Sequence, residues 1–311
     1  MAGSESRTTV WVAIAANLGI ALTKTAAAII TGSSALFAEA AHAFADTGNG
    51  VILLVAERRG SRPPDERHPL GHGADAYFWA LLASLGVFLT GGVLSIMDGI
   101  DGLVNHPGVS SFPVAYIVLV VALVLESVSW WRVHRQLRDE ARDLQRDVLD
   151  HVAATSDPVT RAVFAEDSAA VIGNIVALVG IALHQATGSS IPDAVAAIVI
   201  GIGLGVVAFV LAARNRAFLV GEQAPQALRD RLDQTLREID GVDGVNELLV
   251  TFIGPRQVHV LADIDVRDDL SGGEVEELVR TGEDTLRASS DVVARVDLVT
   301  SGPRQRSEGR S

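Results

Sequence analysis

Long apolar stretches alternate with short polar breaks over the first two thirds of the chain. Six of them are long enough for a membrane helix, since a hydrocarbon core of roughly 30 Å needs about 20 helical residues. They are residues 9–31, 35–57, 76–97, 113–134, 158–186 and 194–214. Gly, Ser and Pro occupy the breaks, as is typical of loops between helices. The pattern therefore predicts an α-helical membrane protein with six transmembrane helices.

The last third of the chain has a different periodicity. Residues 225–238 and 274–288 repeat apolar positions at helical spacing. Three further segments, at 245–252, 257–266 and 292–299, alternate as strands. This order predicts a small α+β domain of αββαβ type. The predicted division is 1–8 as a cytoplasmic N-terminus, 9–215 as the transport domain, 221–300 as the cytoplasmic domain and 301–311 as a disordered tail.

The arginines predict how the helices cross the membrane. They cluster after the second and fourth apolar stretches, and no Lys or Arg follows the first, third or fifth. Because basic residues favour cytoplasmic loops, six crossings place both termini in the cytoplasm. Five or seven crossings would divide the clusters between the two sides.

Composition restricts the partners and the chemistry. Of 311 residues, 49% are hydrophobic, and the net charge is −13. Residues 221–311 carry 11 Arg against 19 acidic residues, a net charge of −8. Such a segment repels nucleic acid and anionic lipid and attracts cations, so we expect cations and no nucleic acid as partners. The lipid bilayer is the expected partner of the six apolar helices. The chain has no cysteine, so any metal ligands are His, carboxylate, amide or water.

Ionisable residues inside the predicted spans indicate a metal site. Each costs about 2.5–3.5 kcal/mol to insert, so each needs a physical reason. His42 and Asp46 lie four residues apart, on one face of the second helix. Glu166 and Asp167 lie in the fifth helix at a similar predicted depth. An imidazole together with carboxylates suits Zn²⁺ or a neighbouring divalent metal.

Three more ionisable residues receive weaker interpretations. Lys24 is expected to extend its ammonium group to the outer membrane surface. Glu39 is interpreted as a charge in an outer vestibule, and Glu126 as a structural residue near the cytoplasmic end of the fourth helix.

The loop after the second span contains a second candidate site. Asp65, His68 and His72 lie within a stretch rich in Pro and Gly. Two imidazoles and one carboxylate leave a coordination position open, as in a labile metal site. A turn with solvated histidines remains the alternative.

Three segments together resemble the cation diffusion facilitator transporters. They are residues 33–50 (SSALFAEAAHAFADTGNG), 64–73 (PDERHPLGHG) and 157–174 (DPVTRAVFAEDSAAVIGN). The resemblance covers nearly the whole chain and is greatest to a zinc-transporter subgroup with Glu-Asp in the fifth span. It implies a homodimer in the plasma membrane that exports a divalent metal from the cytoplasm in exchange for protons. The metal is then a substrate, with no cofactor and no enzymatic activity expected.

The resemblance also implies the site residues. His42 and Asp46 match the family's HxxxD pair, and Asp167 matches the final Asp of the fifth-span motif. The position four residues earlier is Val163, so Glu166 becomes the candidate for the fourth ligand. Asp65, His68 and His72 match the family's loop site.

The C-terminal segment resembles the family's ferredoxin-like domain, which can hold a binuclear site and dimerise. Its ligand positions correspond to Asp263, Glu276 and Asp297. Exposed acids of this kind are usually solubilising, which is the alternative.

Other functions remain open. Val163 motivates a membrane metal sensor or regulatory protein that does not transport. A transporter of Mn²⁺, Fe²⁺ or Co²⁺ uses the same ligand types. A membrane metalloenzyme and a channel are further alternatives.

Overall fold

A computed structural model describes residues 2–105, 108–143 and 147–301. Its first part consists of helices: α1 Ala2–Thr31, α2 Ser34–Gly60, α3 Gly73–Val87, α4 Leu94–Asn105, α5 Phe112–Asp143, α6 Val148–Ala154, α7 Pro158–Thr187 and α8 Ile191–Leu219. A π-helical turn, Phe88–Val93, joins α3 to α4 without a break. Helix α1 begins within the predicted N-terminal segment 1–8, and the predicted tail beyond Ser301 lies outside the described residues.

Five of the described helices are long and apolar enough to cross a membrane. They are Ile14–Thr31, Gly73–Asn105, Phe112–Arg142, Pro158–Thr187 and Ile191–Leu219. Helix α2, the predicted second span, is 27 residues long but carries Glu39, His42 and Asp46. These polar side chains lower its hydropathy, so composition and not length separates α2 from the other five.

Local sequence signals set both ends of α7. The Asp157 carboxylate accepts hydrogen bonds from the backbone N–H groups of Val159 at 2.9 Å and Thr160 at 3.4 Å. Pro158 follows in the first turn, where its missing N–H costs nothing. Gly188 ends the helix in the left-handed region, with φ of 68°. The predicted start of the fifth span is confirmed.

Glycines bring α8 close to the continuous helix Gly73–Asn105. A Cβ added at Gly201 would lie 2.7 Å from the carbonyl oxygen of Gly92, and one added at Gly99 would lie 2.6 Å from the Ile198 side chain. Small residues allow such backbone approach in membrane bundles, where van der Waals packing drives association.

The C-terminal segment forms the predicted αββαβ domain. Its elements are α9 Gln226–Arg237, β1 Val242–Gly254, β2 Gln257–Val266, α10 Gly272–Ser289 and β3 Val293–Thr300. Strand β2 is central, antiparallel to β1 and parallel to β3. The alternating residues Val258, Val260, Ala262 and Ile264 of β2 are fully buried beneath the helices. The α+β prediction is therefore confirmed.

The chain divides into two compact units. One comprises Met1–Arg58 with Ala76–Arg216, and the other comprises Arg59–Asp75 with Ala217–Ser311. The loop between α2 and α3 thus belongs to the same unit as the C-terminal domain. Within that unit, the Arg295 guanidinium donates to the Pro69 carbonyl oxygen at 3.4 Å. The apolar pattern gave no indication of this association.

Candidate metal centre

Helix α2 presents a polar face inside the membrane unit. His42 Nε2 lies 3.2 Å from Asp46 Oδ2, as the spacing of four residues predicts. His42 is only 2% exposed. Neither His42 Nε2 nor Asp46 Oδ1 has a hydrogen-bond partner within the described part of the chain. A buried polar atom without a partner costs about 1–3 kcal/mol, so both atoms are suited to receive a cation or a proton.

The two acids of α7 point to different neighbours. The Ser129 hydroxyl of α5 donates to Asp167 Oδ2 at 2.9 Å. The Asn49 amide of α2 donates to Glu166 Oε1. Adjacent helical residues point about 100° apart, which accounts for the divergence.

Asp46 and Asp167 nevertheless share one cavity of about 70 Å³. Its other polar walls are Glu126 and Ser129 of α5 and Asn17 of α1. The charge of Asp46 also interacts electrostatically with Glu166 and with Asp167. The cavity has room for a dication or a few water molecules.

The four predicted transport ligands do not converge on one point. Across residues 2–105, 108–143 and 147–301, Asp65, His68 and His72 form the one group of three or more His or acidic residues whose ligand atoms lie within 4.8 Å of one another. The set of His42, Asp46, Asp167 and Glu166 therefore stays a prediction. The cavity shared by two of its members supports it.

The candidate ligand atoms of the loop triad, Asp65, His68 and His72, lie close together, and a metal site there stays a prediction. Asp65 Oδ1 lies 3.1 Å from His68 Nδ1, and Asp65 Oδ2 lies 2.9 Å from His72 Nε2. The two imidazole rings lie 4.1 Å apart between centroids. The hydrogen bond from His72 and the backbone N–H of His68 hold the pKa of Asp65 below its ordinary value. Asp65 therefore stays a carboxylate, the form that binds metal.

The three acids predicted for a tail site have separate surroundings. Asp263 accepts a hydrogen bond from the Ser301 hydroxyl. Asp297 pairs with His259 Nε2 at 2.7 Å and with the Arg295 guanidinium at 3.0 Å. Glu276 lies exposed on α10. The Arg295 hydrogen bond lowers the pKa of Asp297, and the tail site stays a prediction.

Comparison with known proteins decides the family. The model of the cation efflux transmembrane domain matches residues 10–220. The human and mouse proteins called "Proton-coupled zinc antiporter SLC30A9, mitochondrial" are 30% and 31% identical over 237 residues, which is 76% of this chain. The chain belongs to the cation efflux family. It spans only 42% of the length of those two relatives.

Other relatives of this cation efflux protein match over almost their whole length. "Cation-efflux pump FieF" of Shewanella oneidensis is 26% identical over 302 residues, covering 94% of this chain and 96% of the relative. Among solved structures, a nickel form of a MamM C-terminal-domain variant is 14% identical, with a TM-score of 0.25 over 26% of this chain. The family consists of membrane transporters, with metal ions as substrates, and not of enzymes.

The cation efflux bundle contains a buried ion-pair network that the sequence did not indicate. Lys24 is 1% exposed, and its ammonium lies 2.7 Å from Glu39 Oε2 and 2.8 Å from Glu126 Oε1. The expectation that Lys24 reaches the membrane surface is therefore wrong, because two carboxylates hold it inside. Glu39 is fully buried, so the interpretation as a vestibule charge is wrong as well. The only signal was the presence of these charges in apolar helices.

Proposed function

We propose that this cation efflux protein exports a divalent metal, with Zn²⁺ the first candidate, from the cytoplasm in exchange for protons. The carrying observation is the cavity between helices that Asp46 and Asp167 share. Beside it, His42 Nε2 and Asp46 Oδ1 lack hydrogen-bond partners in the described structure. An imidazole with several carboxylate oxygens suits Zn²⁺, and the name of the human relative supports zinc and protons.

The balance of charge supports proton coupling. The intramembrane acid cluster, defined as Glu39, Asp46, Glu126, Glu166 and Asp167, is accompanied by the single ammonium of Lys24. Uncompensated charge is costly at membrane depth. A dication or protons must therefore neutralise the cluster at every stage, and each can replace the other.

The transport cycle follows from this competition. Metal from the cytoplasm displaces protons from His42 and from a cavity carboxylate, because ligands bind metal in their deprotonated form. Rocking of α2 and α7 against the remaining helices then opens the site to the outside. Protons arriving there compete for the same atoms and release the metal. His42 is the natural proton carrier near neutral pH.

We place α2 in the membrane with the five apolar helices, which gives six spans and two cytoplasmic termini. This arrangement keeps both arginine clusters on one side. The cell membrane is the proposed location, and the membrane of an organelle is the alternative, since the human and mouse relatives are called mitochondrial. The C-terminal domain is the proposed dimer contact, and the loop triad is proposed to hold exchangeable metal at the cytoplasmic face.

Reconstitution into liposomes with an internal pH dye tests the proposal. We expect Zn²⁺ to drive a proton flux in the opposite direction, with Mn²⁺, Fe²⁺, Co²⁺ and Cd²⁺ compared at equal concentration. Empty liposomes and liposomes with an ionophore set the limits of the signal. Metal uptake without any proton flux contradicts the antiport.

A membrane metal sensor is the second candidate, supported by Val163 at the position of a fourth ligand. The separate hydrogen bonds of Glu166 and Asp167 also favour it. Tight metal binding by the purified chain, with no flux for any metal of the panel, would decide for the sensor.

A further inference from the structure

Glu126 lines the cavity proposed to bind metal, although no sequence motif includes this residue. It lines the cavity together with Asp46 and Asp167. Ser129, three residues further along α5, holds Asp167 at 2.9 Å. Residues three apart share a helix face, so one face of α5 closes the cavity opposite α2 and α7. Glu126 also interacts electrostatically with His42.

Two neighbours hold the Glu126 carboxylate. Lys24 of α1 donates to Oε1 at 2.8 Å, and the Asn174 amide of α7 donates to Oε2. The same ammonium donates to Glu39 Oε2 at 2.7 Å. Lys24 therefore bridges a carboxylate of the cavity wall and one that is enclosed between helices.

This network has more negative than positive charge. Two carboxylates share one ammonium, and Glu39 Oε1, fully buried, has no hydrogen-bond partner among the described residues. Because Gly173 has no side chain, the Glu39 carboxylate fits beside it. A Cβ at residue 173 would clash with that carboxylate. Glu39 can therefore keep Lys24 when Glu126 leaves it.

We propose that Glu126 is a ligand of the transported dication, and that Lys24 is a resident counter-cation that holds Glu126 while the cavity contains no metal. On metal entry, Glu126 turns to the metal and Lys24 stays with Glu39. Glu126 then supplies the fourth ligand in place of Glu166, which is bonded to Asn49. The inference rests on the proposed function, because it concerns the same cavity.

A purely structural ion pair would differ in two respects. It would need no access to the cavity that Asp46 lines, and its loss would lower the stability of the bundle without changing metal affinity. Beside that cavity, His42 is 2% exposed, and its Nε2 lies 3.2 Å from Asp46 Oδ2 without forming a hydrogen bond. The site thus has an unfilled ligand atom in addition to its acids.

The test measures Zn²⁺ and Co²⁺ binding to the full chain in nanodiscs. The parent carries His68→Ala and His72→Ala, so that loop binding does not contribute. Glu126→Gln is expected to weaken affinity at least about tenfold and to change the visible spectrum of bound Co²⁺. The pair Lys24→Met with Glu39→Gln removes one charge of each sign and is expected to tighten binding. Glu140→Gln, an exposed carboxylate elsewhere on α5, is the matched control.

Each outcome separates the two proposals. If the parent binds metal and Glu126→Gln binds it equally well with an unchanged Co²⁺ spectrum, the inference fails and the proposed function stands. Weaker binding by the Lys24→Met, Glu39→Gln variant also overturns the inference. A wild-type chain that neither binds nor transports metal overturns the proposed function and the inference with it. If Glu126→Gln does not fold, Glu126→Asp keeps the charge for Lys24 but shortens the reach, and unchanged affinity there counts against the inference.

Discussion

The two candidate metal sites of this chain, the loop triad and the intramembrane acid cluster, differ in how closely their side chains approach one another. In the loop, one carboxylate bridges two imidazoles within hydrogen-bond distance, and Asp65 and His68 are exposed to water. The intramembrane acids instead accept hydrogen bonds from Ser129, Asn49, Asn174 and Lys24. Only some of these acids line the shared cavity.

The difference follows from the surroundings. The loop triad has one carboxylate between two imidazoles, so its side chains lie together without like-charge repulsion. Inside the bundle, convergence of several carboxylates would be strongly repulsive. The buried acids Glu126, Glu166 and Asp167 are instead held apart by polar neighbours. Under the proposed function, a cation would replace these neighbours.

The largest effect is expected when an acid of the cavity is removed. Asp46→Ala and Asp167→Ala are each expected to reduce metal-driven flux in proteoliposomes to the liposome background, because each deletes a charged ligand at membrane depth. Asp139→Ala, on the exposed surface of α5, is the matched control. Flux at the wild-type rate in either cavity variant would show that the substituted acid is not a ligand of the transported metal.

A smaller effect is expected from the loop. His68→Ala with His72→Ala should lower the affinity of one metal ion per chain by about 10–100-fold, measured by calorimetry on the full chain in nanodiscs. Because the cavity ligands remain, metal-driven proton flux should persist. His151→Ala, on the short helix α6, keeps the loop intact as a control. Complete loss of flux would show that loop and cavity act as one site.

The smallest effect is expected from a change in pH. Since the folded-state pKa of Asp65 lies below its ordinary value of 3.8, the ionised carboxylate stabilises the loop above that value. This contribution is lost only as pH falls through the lower, folded value. The Asp65 carboxyl carbon should keep the chemical shift range of an ionised carboxylate from pH 8 to pH 4, and His72→Ala should raise the pKa of Asp65. A wild-type midpoint near 4 contradicts the contact with His72.

Several features could be predicted from the residues alone because they depend on local chemistry. The start of the fifth span at Pro158, the alternation in β2 and the spacing of His42 and Asp46 are all short-range signals. The loop triad was accessible for the same reason, since its ligands lie within one turn-rich segment.

Contacts between distant segments could not be read in this way. The partner of Lys24 depends on which faces of α1, α2 and α5 meet, and apolar helices give little information about rotation. Considered without its neighbours, Lys24 is expected at the membrane surface. In the structure, two carboxylates stabilise its ammonium group inside the helical bundle. The same limit applies to Asp297, whose neighbours on β2 and β3 follow from strand register.

The π-helical turn at Phe88–Val93 has one more consequence. A Cβ at Gly91, within this turn, would lie 3.8 Å from the His42 backbone, so the widened turn borders the imidazole-bearing stretch of α2. A π turn holds one residue more than an α turn. This extra residue turns the side chains of α4 about the helix axis relative to an unbroken α-helix, and so sets which face of the second half of the span meets the rest of the bundle.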